Sequence, residues 1–462
     1  MARSLLLACL AAALAVGASA SSASIGGVPS FAASKRYVVP DGHDCGFCSE
    51  SAAIRDLNGD GKPDVVTVNQ NGTISVLITK PGGTFRARRD YPVGGLPQGA
   101  AIADLNGDGH PDVAVASLGG FVTVLLNKGD GTLGGKRTYA AGTGGSGPVS
   151  IAAADLDRDG SPDLVTSNST ERVEHGGVQS VSVLRNNGDG TFAAKQDYPI
   201  SGGDPISVAL GDLNGDGKPD VVTGDEAEGG PVSVLLNKGD GTLQTERIYK
   251  TSGAQSVVLG DLNGDGKVDV ATADGVLGVS VLLNRGDGTL RKSRAYAVLS
   301  QPDLASGPSS IVIVHLNGER RPDLATADEF GHLSLLLNTG AGAFRAAIDL
   351  GIGKCGGVFD SDRGLAAGDL NGDGRVDFAA AGRKGLCVSL DRPGLCNVQD
   401  LPQVTLAEAR ARLARARCRV GAVRYEHARF LSRGSVISQS PGFGAVLPAG
   451  GKVKLVVSLG RK

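Results

Sequence analysis

The stretch DLNGDGKPD, Asp56 to Asp64, decides the reading of this chain because it does not occur only once. It returns as DLNGDGHPD from Asp104, DLDRDGSPD from Asp155, DLNGDGKPD from Asp212, DLNGDGKVD from Asp261 and DLNGDGRVD from Asp369. A decayed copy, HLNGERRPD, starts at His315. Successive copies stand 48, 51, 57, 49, 54 and 54 residues apart, so the chain holds seven similar units.

A second signature follows the first. VLLNKGDGTL ends at Leu133 and Leu243, VLRNNGDGTF at Phe192 and VLLNRGDGTL at Leu290, with weaker copies ending at Phe85 and Phe344. Gly-Asp-Gly between two apolar runs is a turn signal, because both residue types tolerate positive φ. Around these turns lie short apolar or alternating runs, in one unit Ala101 to Ala103, Asp112 to Ser117, Phe121 to Leu126 and Lys136 to Ala140. They read as four strands per unit with no helical period among them. The 71 glycines and the lack of tryptophan suit a chain of many turns and short strands. Seven such units predict an all-β chain folded as a seven-bladed β-propeller. The fourth strand carries Tyr91, Tyr139, Tyr198, Tyr249 and Tyr296, with Ile348 to Leu350 in the sixth unit. The seventh unit lacks a fourth strand, and a spare one, Lys35 to Val39 around Tyr37, precedes the first. That strand is expected to complete the last blade and latch the ring.

The repeated loop places oxygen-bearing side chains at positions 1, 3, 5 and 9, a glycine at 6, and a backbone carbonyl at 7. A hard cation such as calcium takes six to eight oxygens, and alternating acids in a tight loop supply them. The candidate metal residues are Asp56, Asn58, Asp60, Lys62 and Asp64, then Asp104, Asn106, Asp108, His110 and Asp112. The third loop offers Asp155, Asp157, Asp159, Ser161 and Asp163, and the fourth Asp212, Asn214, Asp216, Lys218 and Asp220. Asp261, Asn263, Asp265, Lys267 and Asp269 follow, and last Asp369, Asn371, Asp373, Arg375 and Asp377. The residues at position 7 would ligate through their carbonyls. Plain Asx turns would explain one such loop, but not six that keep the same oxygens while crowding three or four carboxylates. The sixth copy, with His315, Glu319 and Arg320 at positions 1, 5 and 6, is expected to be empty or weak.

Both signatures resemble the FG-GAP/VCBS repeats of integrin α-subunit and bacterial secreted propellers, over about residues 35 to 392. The resemblance implies one structural Ca²⁺ per intact loop, about six ions on one rim. Without Arg3, the chain has 45 basic and 48 acidic residues. Six bound Ca²⁺ would then leave it net basic and favour anionic partners.

Arg3, the apolar run Leu5 to Val16 and Ala18-Ser19-Ala20 read as a signal peptide over 1–20, followed by a flexible linker over 21–34. The run is too short to span a bilayer. It continues past Cys9, which argues against a lipid-modified cysteine. The expectation is export to the outside or the cell wall, with no membrane span.

Beyond Leu390 the texture changes. Leu406 to Arg417 reads as a helix with Leu406, Ala409, Leu413 and Ala416 on one face. Strands are expected around Gly434 to Ser438 and Lys452 to Ser458. The string GSVISQSPGFGAVLPAGGKVKLVVSLG, with LPQVTLAEARARLARARCRVGAV before it, resembles a PASTA domain. That makes 396–460 a small α+β module, and the resemblance implies a Cys396–Cys418 disulfide. Cys45-Gly-Phe-Cys48 reads as a structural disulfide, and Cys355 with Cys387 as a second bridge across the seventh unit; exchange between those two pairs is the alternative. His43 beside Cys45 has too few neighbours for a zinc site.

Near-neutral charge and the lack of basic runs exclude a nucleic-acid partner. The Arg285-Gly286-Asp287 triplet stands where its sisters have Lys-Gly-Asp. The histidines fall at unrelated repeat positions, and neither a nucleophile elbow nor a phosphate loop occurs, so no catalytic residue is assigned. The expected function is non-catalytic binding or adhesion at a bacterial envelope, by a monomer whose partner is a wall polymer, glycan or surface protein. A lectin or a polysaccharide-degrading enzyme is the rival, weakened by the lack of tryptophan. The longer connections Thr143 to Gly147, Thr170 to Gly177 and Asp225 to Gly230 are the expected partner surface.

Overall fold

The computed structural model describes residues 31, 35–37, 49–170, 177–226, 229–275, 278–298, 307–316, 319, 321–328, 332–351, 364–382, 385–391, 395–398, 401–442, 445–448 and 450–461. Seven four-stranded antiparallel sheets account for all the repeats. Their inner strands are Ser49–Arg55, Pro97–Ala103, Gly147–Ala154, Asp204–Gly211, Ser256–Gly260, Pro308–Val314 and Leu365–Gly368. Each lies beside the next, and the seventh lies beside the first, so the sheets close a ring.

Every sheet is sandwiched between two others. The second strands Asp64–Asn69, Asp112–Ser117 and Asp220–Glu226 are accordingly buried nearly end to end. Outer strands such as Arg89–Pro92 face solvent. The cores form between sheets: Val66, Val68, Ile74 and Val76 of the first pack with Val113, Val115 and Leu125 of the second.

The seventh sheet takes its outer strand from the other end of the repeat array. Lys35–Tyr37 pairs antiparallel with Gly385–Ser389, Tyr37 opposite Leu386. The tyrosine then reaches the first sheet, its ring 4.8 Å edge-on from Phe85. Tyr139 meets Phe192 and Tyr296 meets Phe344 in the same way, at 5.2 and 5.5 Å. The tyrosines of the fourth strands are therefore rivets from one sheet to the next, adding edge-to-face contact to the area they bury.

In the C-terminal module, helix α1 (Leu406–Arg415) is capped by Thr405, whose side chain accepts from the Glu408 amide. Ala409 and Leu413 are fully buried against Val453, Leu455 and Val457. The helix stops two residues short of the expected Arg417, which is in the left-handed region at φ 57°. The edge strand is Val436–Ser440 rather than Gly434–Ser438. A third strand, Arg419–Glu426, was not expected and lies parallel to Lys452–Ser458. A register shift between Val420 and Val423 interrupts its alternation and hides it from a period-two reading. Cys396 and Cys418 are disulfide-bonded with Cα atoms 4.9 Å apart. Cys387 is disulfide-bonded as well. Cys45, Cys48, Cys355, His43, residues 1–20 and the 21–30 part of the linker lie outside the described residues. Among the described residues no helix is long and apolar enough to cross a membrane.

Candidate metal loops and their clamp

Each intact loop folds around its first aspartate. The Asp56 carboxylate accepts from Gly59 at 2.8 Å and Gly61 at 2.7 Å. Asp104, Asp212, Asp261 and Asp369 repeat the pair at 2.7–2.8 Å. This wrap needs positive φ at positions 4 and 6, supplied by Gly59 at 72° and Gly61 at 80°. The third loop has Arg158 at position 4, forced to φ 65°, and its guanidinium donates to the Asp216 carbonyl of the next loop at 2.6 Å.

Positions 3 and 5 turn their oxygens into the loop. Asn58 Oδ1 accepts from the Asp60 amide, and Asp60 Oδ1 from the Lys62 amide. In the third loop, where all three positions are aspartate, the carboxylates of Asp155, Asp157 and Asp159 bring oxygens within 4.8 Å of one another. Asp157 Oδ1 is buried there without a hydrogen-bond partner. An all-oxygen set this tight, with an unpartnered acceptor, fits a hard divalent cation. The lysines at position 7 lean on position 5: Lys62 and Lys218 stand 3.8 and 3.5 Å from Asp60 and Asp216.

Position 9 is the base of the loop. Asp64, Asp112, Asp163, Asp220, Asp269 and Asp377 have no exposed surface. Asp64 Oδ2 accepts from the Leu57 amide and Oδ1 from the Thr79 amide, tying loop to hairpin. Burial lifts Asp64, Asp112, Asp220 and Asp269 to about 6, Asp163 to about 7 and Asp377 to about 8, against the pull of these amides. The other loop aspartates raise them further, a repulsion that a bound cation would remove.

The sixth loop departs as its sequence suggests. Glu319 is paired with Arg321, Nε to Oε2 3.0 Å. Arg320 lies outside the described residues.

A set of residues that the sequence reading left as turn formers clamps these loops together. The asparagine opening each Asn-x-Gly-Asp-Gly hairpin is buried and bonds two loops at once. Asn127 Nδ2 donates to Pro111 of its own loop at 3.0 Å and to Leu57 of the preceding one at 2.7 Å. Asn186 reaches Leu105, Asn237 reaches Leu156, Asn284 reaches Leu213 and Asn338 reaches Leu262, all at 2.7–2.8 Å. The hairpin glycines sit over the preceding loop: a Cβ on Gly190 would stand 3.3 Å from Asn106 Cβ. The first five loops are thus each held between two sheets. Thr79 occupies the asparagine place in the first sheet and donates only to Pro63 of its own loop. In the seventh sheet Asp391 stands there, 3.7 Å from Arg375. The junction of the sixth and seventh sheets therefore lacks both an intact loop and an asparagine. The recurrence of asparagine six residues before the apolar end of five hairpins was the available signal.

Of the longer connections, Thr143 and Ser146 are tied to each other and Asp225 is fully buried, held by Thr223 and Ser233. Residues 171–176 and 227–228 lie outside the described residues.

The FG-GAP-like repeat family matches residues 56–115, 104–166, 174–223, 224–272, 261–326 and 315–380, and the PASTA domain matches 397–459. Two structures of BBS1N in complex with ARL6DN, one soaked with lead and one with mercury, are 13% and 14% identical, with TM-scores of 0.52 and 0.51. Each match covers 79% of this chain and 98% of the other. The Dos1 propeller matches at 10% identity and a TM-score of 0.45, over 71% of this chain and 75% of its own. No curated protein matches the chain in sequence. At these identities the BBS1N structures speak for the fold alone. Repeats, strand order and fold agree: the chain belongs to the FG-GAP-like repeat family, as a β-propeller followed by a PASTA domain.

Proposed function

We propose that this protein is an exported, calcium-stabilised, non-catalytic binding module of the bacterial cell envelope. The observation that carries the reading is the placement of the loops between sheets. A Ca²⁺ held by Asp155, Asp157 and Asp159, or by its counterparts in the first, second, fourth and fifth loops, orders a loop that the next sheet's asparagine grips, so each of these ions stiffens a junction of the ring. Six intact loops would take about six ions. FG-GAP and PASTA units are typical of extracellular or envelope proteins, and PASTA domains suggest contact with peptidoglycan or similar wall material. The test is co-sedimentation of the purified chain with insoluble bacterial walls, in calcium and in EDTA. Retention in calcium that weakens in EDTA supports the reading; a chain left in the supernatant under both conditions refutes it. A lectin or polysaccharide-degrading propeller remains the rival, and soluble sugar release from the same walls would favour it.

A further inference from the structure

Charge is distributed very unevenly along the chain. Residues 397–462 carry 12 of the 46 lysines and arginines but only 3 of the 48 acids. The repeat region is correspondingly acidic. The excess in the module is organised by its sheet. Val453, Leu455 and Val457 point to α1, so Lys452, Lys454 and Val456 point away from it. Register places Arg419 beside Lys452 and Arg424 beside Val456 on the same side. Ser440 and Ser438 lie beside Lys454 and Val456 on the other edge. Arg419, Arg424, Lys452 and Lys454 are all exposed, and none has an ion pair among the described residues. Among the described residues, the one acid on this side is Glu426, at the sheet's end beside Ser458. Two cations directly opposite one another, Arg419 and Lys452, cost the sheet stability. An anion laid along the face offsets that cost.

We infer that this sheet face is a docking surface for a linear polyphosphodiester of the envelope. The inference rests on the envelope reading and names its partner. Lys452 and Lys454 stand two residues apart on one strand, about 7 Å, a spacing that a chain with one charge per short repeat unit can follow. Lysine ammoniums and arginine forks both bind phosphate oxygens, and the serine hydroxyls at the edge add donors.

The test is binding of poly(glycerol phosphate) to the calcium-loaded full chain across a salt series, with a neutral dextran as comparison. Polyanion binding by counterion release gives a slope of log K against log salt of about −0.7 per neutralised charge on a flexible strand. Four cations predict a slope near −3, and Lys452→Gln/Lys454→Gln about half of it, with affinity at least ten-fold weaker. Arg419→Gln/Arg424→Gln should do the same. The charge-matched Arg291→Gln/Lys292→Gln pair, exposed on the propeller, should change neither. An equal loss in that control makes the effect one of net charge and overturns the proposal. So does a calcium-loaded dimer that Lys452→Gln/Lys454→Gln converts to monomer, since the face would then be covered by a second copy. Both sheet pairs should melt no lower than the parent, which separates lost binding from lost folding. Walls chemically stripped of phosphodiester polymer that still retain the chain also overturn the proposal, while leaving the envelope reading in place.

Discussion

Consider the two consecutive asparagines of the third hairpin, Asn186 and Asn187. Asn186 is buried; its amide donates to Leu105 of the second loop at 2.8 Å and Pro162 of the third at 2.9 Å, and its oxygen accepts from Gly188 at 2.9 Å. Asn187 is exposed and its side chain reaches only Thr191 Oγ1. Asn186→Ala removes three hydrogen bonds and leaves two carbonyls and an amide without their partner. At about 1 kcal/mol per bond, with more for groups left buried, the loss should be about 3 kcal/mol. Asn187→Ala should cost less than about 0.5 kcal/mol, as surface changes do. Thermal melts in excess calcium, where 1 kcal/mol corresponds to about 2–4 °C in a large domain, should show a drop of several degrees for the first variant and almost none for the second. Equal melting temperatures would refute the idea that these asparagines clamp one sheet to the next.

Asp274 is 3% exposed, accepts from Thr272 and Ser280, and burial lifts it to about 7. The folded state therefore keeps a proton that the unfolded state releases from pH 3.8 upward, so stability falls between pH 3.8 and 7. Asn168 occupies the equivalent place in the third sheet with the same kinds of partner. Asp274→Asn should accordingly leave stability nearly unchanged at pH 4 and raise it by about 4 kcal/mol at pH 8, read from denaturant midpoints at both pH values. Tyr37→Ala removes the contact with Phe85 that closes the ring; it should lower the melting temperature by several degrees, whereas Tyr425→Ala, 55% exposed, should not. Rebuilding the sixth loop by His315→Asp, Glu319→Asp and Arg320→Gly should add one calcium per chain, counted by atomic emission.

The repeats made the strands legible because each unit repeats its turn glycines and apolar runs, and the sheet order follows from the spacing. Tyr37 was legible as a displaced outer strand because each of the first five units owns such a tyrosine. The clamp was not legible: Asn127 and its counterparts look like ordinary turn residues, and only the closed ring brings Leu57 within reach of Asn127. Position 9 was read as a ligand alone, yet its carboxylate is also the buried joint between loop and hairpin, which a linear pattern does not reveal. The strand Arg419–Glu426 escaped because its register shift breaks the alternation, and with it went the sheet face that gathers the cations.

The central claim is that the repeated loops are calcium sites that hold the ring together. Its most direct test is a thermal melt of the chain in EDTA and in excess calcium, with bound calcium counted by atomic emission on the same sample. About six ions per chain and a rise of many degrees in calcium are the expected result; no bound calcium and identical melts would contradict it.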